Sequence, residues 1–192
     1  MQIEYILNNL RRELIRTFAV MDGWFDKPIS LRRYKPVDKG WNINEVLEHI
    51  MLANHYLVIV IDRSRAGAWK KSEASGATAG LQESYELSTP ALLELTDPEA
   101  IAWQCHNHHQ PLGKRLPSDI RRELRNHLET CLITLEMLPN GEGALHQTPV
   151  AFNNIGKLDV YQQVYFLILH AQRHLHQMKK IEHEFPEVVE AS

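Results

Sequence analysis

Residues 41–62 have the sequence WNINEVLEHIMLANHYLVIVID, and this stretch decides the fold class. Its apolar residues recur at three- and four-residue spacing, which is the period of an α-helix with one buried face. Asn42 lies at the beginning of the stretch and Glu45 follows three residues later, a capping-box pattern that satisfies backbone amides at the start of a helix. The sequence therefore predicts a long amphipathic helix from residue 43 to about residue 63.

Three further segments have the same helical period. They predict a first helix that ends near residue 21, a third helix over 118–138, and a last helix that Asp159 and Gln162 open and that ends near residue 184. Residues 64–97 are rich in Ser, Gly, Ala and Thr, and they are predicted to form an irregular crossover with a short helix near residues 90–95. No segment keeps the two-residue period of a strand for more than a few positions. We expect a single domain over residues 1–192 that is all-α, a four-helix bundle with long connections.

Charge and apolar content restrict the class of protein. The chain has 21 Lys and Arg against 24 Asp and Glu, a net charge of -3, and it has no basic block of the kind that neutralises nucleic-acid phosphates. Its most apolar stretch is interrupted by polar residues and is shorter than the roughly 20 apolar residues of a membrane span. Cys105 and Cys131 lie far apart, and the N-terminus is charged instead of signal-like. We therefore expect a cytoplasmic protein that binds neither nucleic acid nor membrane.

One pair of histidines has the spacing of metal ligands. The chain has 11 histidines, so about half of one pair at i, i+4 spacing is expected by chance, and His170 and His174 are such a pair. On a helical wheel they border the buried arc, whereas His176 and His183 project from the opposite side. Two imidazoles one turn apart can bind one ion at about 2.0–2.1 Å. A structural pair at the edge of the core has the same spacing, so both interpretations stay open at this point.

His49 has a similar position on the second helix. It edges the buried face of that helix, with Glu45 and Tyr56 beside it on the wheel, and Gln177 lies beside the histidine pair on the last helix. A lone histidine at such a position is more often structural than a ligand, so His49 depends on the pair for a role in metal binding. We expect Tyr56 and Gln177 to contact the ligands or the pocket, and Glu45 to serve first as the helix cap.

A competing group of ligands lies in the connection before the third helix. Residues 105–110 have the sequence CHNHHQ, in which Cys105, His106, His108 and His109 are all capable of binding a metal ion, with Asn107 between them. No Cys-x-x-Cys pair accompanies them as a second half of a zinc site. We expect this segment to line the mouth of the other site.

Two segments resemble the DinB-like (DinB/YfiT) superfamily of metalloenzymes in sequence, order and separation. The first is GW at 40–41 followed by NEVLEHI at 44–50, and the second is HAQRHLHQ at 170–177. The resemblance implies a four-helix bundle, a homodimer, and a divalent metal ion bound by His49, His170 and His174. Imidazole ligands suit both Zn²⁺ and Ni²⁺. Family members of known activity include thiol S-transferases that use low-molecular-weight thiols and a thiol-dependent isomerase, so a small-molecule substrate is implied.

Three histidine ligands leave one position of the ion open, which is typical of a catalytic site. A water or a thiol in that position has a lowered pKa and becomes a nucleophile near neutral pH. The sequence thus predicts a metal-dependent enzyme, either a thiol S-transferase or a hydrolase. A hydrolase also needs a general base, and Glu45 is the carboxylate that the wheel places nearby. The alternative is a non-enzymatic metal-binding or dimerisation module, in which the ion ties the second helix to the last.

Overall fold

The computed structural model describes residues 2–75, 85–95, 109–150 and 155–190. In chain order its helices are α1 (Gln2–Gly23), α2 (Ile29–Arg33), α3 (Ile43–Ser75), α4 (Pro90–Glu94), α5 (Pro117–Met137) and α6 (Val160–Glu190). Two short 3₁₀ helices, Trp24–Asp26 and Glu142–Leu145, and two strands, β1 (Gln147–Val150) and β2 (Gly156–Asp159), complete the described elements.

The long helices pack in pairs around one apolar core. α3 packs against α5 and α6, and α1 packs against the same two helices. α3 and α6 run in opposite directions, because His49 near the start of α3 meets His174 of α6, while Ser64 further along α3 accepts a hydrogen bond from Gln163 near the start of α6. The prediction of an all-α fold is confirmed.

The apolar stripe of α1 forms one side of this core. Its buried apolar residues are Ile3, Leu7, Leu10, Leu14, Phe18 and Met21. Burial of a leucine stabilises the fold by about 1.5–3 kcal/mol relative to leaving it exposed. The stripe therefore explains why α1 docks on α5 and α6, although it has no part in the histidine cluster described below.

Three helix boundaries differ from the sequence prediction. α3 continues to Ser75 instead of ending near residue 63, so the prediction of an irregular chain was wrong for residues 64–75. Gly67 is tolerated there because the His146 ring packs against it, and a Cβ at Gly67 would lie 2.5 Å from that ring. α5 begins one residue early, with Pro117 in its first turn, where a missing amide costs nothing. α6 ends at Glu190, beyond the predicted residue 184.

The short helix near residues 90–95 is present as α4, where the side chain of Thr89 accepts a hydrogen bond from Leu92 N at 3.2 Å.

The antiparallel hairpin of β1 and β2 was not predicted. It pairs Gln147 with Asp159 and Val150 with Gly156. Strands of four residues are too short to show an alternating pattern.

The start of α6 agrees with the predicted cap. Gln162 N donates a hydrogen bond to Asp159 Oδ1 at 2.9 Å, and Asp159 N donates to Gln162 Oε1 at 3.2 Å.

Across the described ranges, every helix is too short or too polar to cross a membrane.

Candidate metal centre

Three histidines from two helices meet between α3 and α6. His49 lies in the second turn of α3, and His170 and His174 lie one turn apart on α6. One ring nitrogen of each lies within 4.8 Å of the corresponding nitrogens of the other two. The described residues contain no second group of three or more His, Cys, Asp or Glu side chains that is this close. The structure therefore brings together the three histidines that the sequence singled out.

The spacing of the ring nitrogens fits one small ion. Nε2 of His170 and Nε2 of His174 are 3.2 Å apart. Two nitrogens that bind one ion tetrahedrally at about 2.0–2.1 Å lie about 3.3 Å from each other. The ring of His49 completes the group, with its centroid 4.6 Å from that of His174 and 5.3 Å from that of His170. The donor set of three imidazoles thus suits a divalent metal ion.

Hydrogen bonds fix the orientation of two of the rings. His49 Nδ1 lies 2.7 Å from the carbonyl oxygen of His109. Because a carbonyl only accepts, Nδ1 carries the proton and Nε2 keeps its lone pair. His174 Nδ1 lies 2.9 Å from Gln177 Oε1, which fixes that ring in the same way. Partners of this kind orient metal-binding histidines and raise their basicity toward the ion.

The environment of the cluster keeps its imidazoles neutral. Burial lowers the pKa of His49, although the hydrogen bond to the His109 carbonyl partly opposes that effect. Burial and the neighbouring His174 and His49 hold the pKa of His170 well below its ordinary value. Burial and the nearby His49 lower the pKa of His174 to about 3. Neutral imidazole is the form that binds metal, so all three rings are in the binding form near neutral pH.

A short segment, residues 109–113, lies against α3 beside the cluster, and we call it the strap. Its first residue accepts the His49 hydrogen bond through the His109 carbonyl. At its last residue, Gly113 N donates to Glu48 Oε2 at 2.7 Å. Gly113 has a φ of +66°, a conformation that glycine adopts at no steric cost. Two neighbouring residues of α3 thus hold both ends of the strap.

The sequence analysis missed two groups that join the strap to α3, the Glu48 carboxylate of α3 and the His109 carbonyl of the strap. Glu48 is only 3% exposed, and its Oε2 accepts a hydrogen bond from Gly113 N. Its signal in the sequence is an acid in the buried stretch directly before His49. A backbone carbonyl gives no such signal, because any residue type can supply it.

The other predicted site residues have different positions. Glu45 forms the helix cap, since Asn42 N donates to Glu45 Oε2 at 2.8 Å and Glu45 N donates to Asn42 Oδ1 at 2.9 Å. Lys35 pairs with the same carboxylate. Gln177 contacts His174 as described. Tyr56 lies with its ring centroid 5.7 Å from that of His109, beside the strap.

The CHNHHQ segment is only partly visible. Residues 105–108 lie outside the described residues, whereas His109 is buried and contacts His49 through its carbonyl. The histidines that the wheel placed on the outer side of the last helix, His176 and His183, are exposed.

The fold and the cluster together define an all-α protein with a candidate three-histidine metal site between two long helices. The chain belongs to the DinB superfamily, whose family model matches residues 16–178. That match includes the whole cluster and the strap. No curated protein and no solved structure matches the chain.

Proposed function

We propose that the protein is a metal-dependent enzyme that binds one divalent ion, Zn²⁺ or Ni²⁺, through His49, His170 and His174. The observation that carries this proposal is the convergence of three neutral imidazoles, two buried and one partly buried, whose nitrogens have the spacing of ligands of a single ion. A purely structural histidine pair needs neither a third ring nor the fixed orientation of two rings.

Such an ion supplies Lewis-acid chemistry, because it lowers the pKa of a water or a thiol at the position that three protein ligands leave open. The chain's own residues prepare that chemistry. The His109 carbonyl and Gln177 hold two rings with Nε2 toward the cluster. Trp41 packs on the His49 ring at a centroid distance of 4.8 Å, which restricts its rotation and excludes water from that side.

The surroundings favour a low-molecular-weight thiol over water as the nucleophile. Hydrolysis requires a general base near the attacking water. Glu45 is engaged by Asn42 N and by Lys35, and Glu48 is engaged by Gly113 N, so each carboxylate already accepts a hydrogen bond. A thiol needs no additional base once its pKa is lowered. We therefore propose thiol S-transfer to a small-molecule substrate as the first reaction to test, and hydrolysis as the second.

We also propose that the protein acts as a homodimer in the cytoplasm. Exposed apolar side chains on α3 and α5 support a dimer, since Ile59, Ile133 and Met137 are each at least 40% exposed. Light scattering on the wild-type protein and on Ile133→Glu tests this: a dimer that becomes monomeric supports the proposal, and a monomeric wild type contradicts it.

Elemental analysis of purified protein tests the metal site. We expect about one zinc or nickel ion per chain in the wild type, and loss of that ion in His49→Ala, His170→Ala and His174→Ala. His176→Ala is the matched control, because His176 is an exposed histidine of the same helix and should keep the metal content. A double variant, His170→Ala with His174→Ala, that keeps its full metal content would falsify the site.

An activity assay then separates an enzyme from a binding module. Metal-loaded wild type is mixed with an aryl halide electrophile and either glutathione or a bacillithiol-type thiol, and thioether formation is followed. Turnover that His174→Ala lacks and His176→Ala keeps supports the enzyme. If metal-loaded protein turns over no thiol, electrophile or ester while chelation still lowers its melting temperature, the protein is a metal-binding module.

A further inference from the structure

An open cavity of about 490 Å³ lies beside the metal centre, where α2, the first turns of α3 and the start of α5 meet. It lies outside the histidine cluster, and none of the three cluster histidines lines it. Its volume is in the range of small-molecule sites, about 300–1,000 Å³. It therefore has room for a ligand that the metal centre alone does not explain.

The rim of this cavity is positively charged. Arg33, Lys114 and Arg115 line it, all three are exposed, and none of them pairs with a carboxylate of the described residues. Arg121, in contrast, forms ion pairs with Asp22 and Asp26. Arg33, Lys114 and Arg115 thus bring to one cavity three positive charges that no ion pair with a described residue offsets.

The two carboxylates in the cavity wall do not cancel this charge. Glu45 accepts hydrogen bonds from Asn42 N and Lys35 Nζ. Glu48 is buried and accepts from Gly113 N. Lys35 neutralises Glu45, and Glu48 leaves one formal negative charge against the three cations, so the net charge at the cavity is positive.

The strap connects the cavity to the metal centre. Gly113 and Glu48 line the cavity, while His109 at the other end of the strap contacts His49, the residue that follows Glu48. The strap and the adjacent residues Glu48 and His49 of α3 thus connect the cavity wall to the cluster.

We propose that this cavity is a binding site for a small molecule that carries a carboxylate or phosphate group, held by Arg33, Lys114 and Arg115. Arginine donates paired hydrogen bonds to either anion, and lysine adds a mobile charge. The site goes beyond the proposed function, because binding of the anion requires no metal ion.

Calorimetric titration of chelator-treated protein tests the site without interference from the metal. The probes are inorganic phosphate and succinate. We expect saturable binding of at least one of them in the millimolar range or tighter, weakened by added sodium chloride as expected for exposed charges. Phosphate binding alone indicates a phosphorylated ligand, and succinate binding alone indicates a carboxylate ligand. Failure of both probes to bind overturns the proposal.

Variants locate the binding. Arg33→Gln, Lys114→Gln and Arg115→Gln are each expected to weaken binding several-fold, and the triple variant by at least about tenfold. Lys157→Gln is the matched control, since Lys157 is an exposed cation of the β1–β2 hairpin. All of these side chains are exposed, so circular dichroism should show that each variant folds. Equal affinity in the triple variant and the control overturns the assignment.

Nuclear magnetic resonance gives an independent readout. The Gly113 amide, in the cavity wall, should shift on addition of phosphate or succinate, whereas the Gly143 amide, which donates to Tyr161, should not. The same titration on zinc-loaded protein separates the two proposals. If the protein binds the anion but takes up no zinc, the anion site is supported and the metal-dependent function is contradicted. If it takes up zinc but binds no anion, the metal site is supported and the anion site is contradicted.

Discussion

Histidines from neighbouring helices meet at two places along α3. Between α3 and α6, His49 meets His170 and His174, with ring centroids 4.6–5.3 Å apart. Between α3 and α5, His55 and His127 lie with ring centroids 6.1 Å apart. We call these the α6 group and the α5 group. Both contain a buried histidine whose pKa is lowered by burial.

The groups differ in how their rings are held. In the α6 group two Nδ1 atoms have acceptors, so two Nε2 atoms face the cluster. In the α5 group His127 Nδ1 is buried without a hydrogen-bond partner among the described residues, His55 is exposed, and no third ligand joins them there. Proximity and a buried histidine are therefore common to both groups, whereas a third ring and fixed ring orientations are found only in the α6 group.

Metal removal should separate the two groups most directly, because only the α6 group is expected to bind the ion. At a metal concentration 100 times the dissociation constant, binding stabilises the folded wild type by about 2.7 kcal/mol, which is about 5–10 °C in melting temperature for a chain of this size. We expect chelation to remove this shift in the wild type and in His127→Ala. In His170→Ala the melting temperature should be the same with and without metal, as thermal denaturation followed by circular dichroism can measure. A metal-dependent shift that survives in His170→Ala would contradict the assignment of the α6 group.

At acid pH the α5 group should lower the free energy of unfolding. Burial, helped by the charge of His55 and opposed by Glu123, lowers the pKa of His127 to about 4. In the unfolded chain that pKa is about 6.5, so below pH 6.5 the unfolded state binds a proton that the folded state does not. Stability is therefore lost as the pH falls from about 6.5 to about 4, by up to about 3 kcal/mol.

His127→Leu removes this contribution without an unsatisfied polar atom. Urea denaturation of chelated protein at both ends of that pH range should show a smaller loss of stability in His127→Leu than in the wild type. The α6 histidines and other groups away from His127 contribute equally to both proteins and cancel in the comparison. The same loss in both proteins would show that His127 titrates normally.

The sequence predicted the α6 group better than it predicted the backbone around it. The helical period placed His49, His170 and His174 at the edges of buried arcs. The resemblance of residues 40–50 and 170–177 to the DinB-like superfamily then implied that the three histidines bind the same ion. The caps of α3 and α6 were predicted because Asn42 with Glu45 and Asp159 with Gln162 act over three residues. Local patterns of this kind survive in any tertiary context that keeps the helix.

Features that depend on distant contacts could not be predicted in this way. α3 continues through Gly67, where the close approach of the His146 ring from another part of the chain leaves no room for a Cβ. The strap is fixed by a backbone carbonyl and a backbone amide, which every residue type except proline can provide. The difference between the two histidine groups lies in such contacts, so spacing alone could not separate them.

The strap should have a moderate effect on the α6 group. Glu48→Ala removes the acceptor of Gly113 N, which frees one end of the segment that orients His49. We expect metal affinity to fall by about tenfold, the lower end of the usual effect of losing a contact that orients a ligand. Glu48→Gln keeps an acceptor oxygen and should bind metal within a few-fold of the wild type.

His55→Ala is the control for this experiment, since it changes an exposed histidine of the α5 group on the same helix. Competition titration with a chromophoric chelator measures all four affinities. If Glu48→Ala binds metal as tightly as His55→Ala does, the strap does not orient the cluster.

The helix cap should have the smallest effect. Asn42→Ala removes the side chain that accepts from Glu45 N, which costs about 1 kcal/mol of stability in urea denaturation. His49 follows Asn42 by seven residues, about two turns, so fraying of the first turn should leave the metal affinity unchanged. Glu45 of the cap and Glu48, which holds the strap, lie in the same turn of α3. If the single variants Asn42→Ala and Glu48→Ala both lose metal affinity, the cap and the strap hold His49 as one unit.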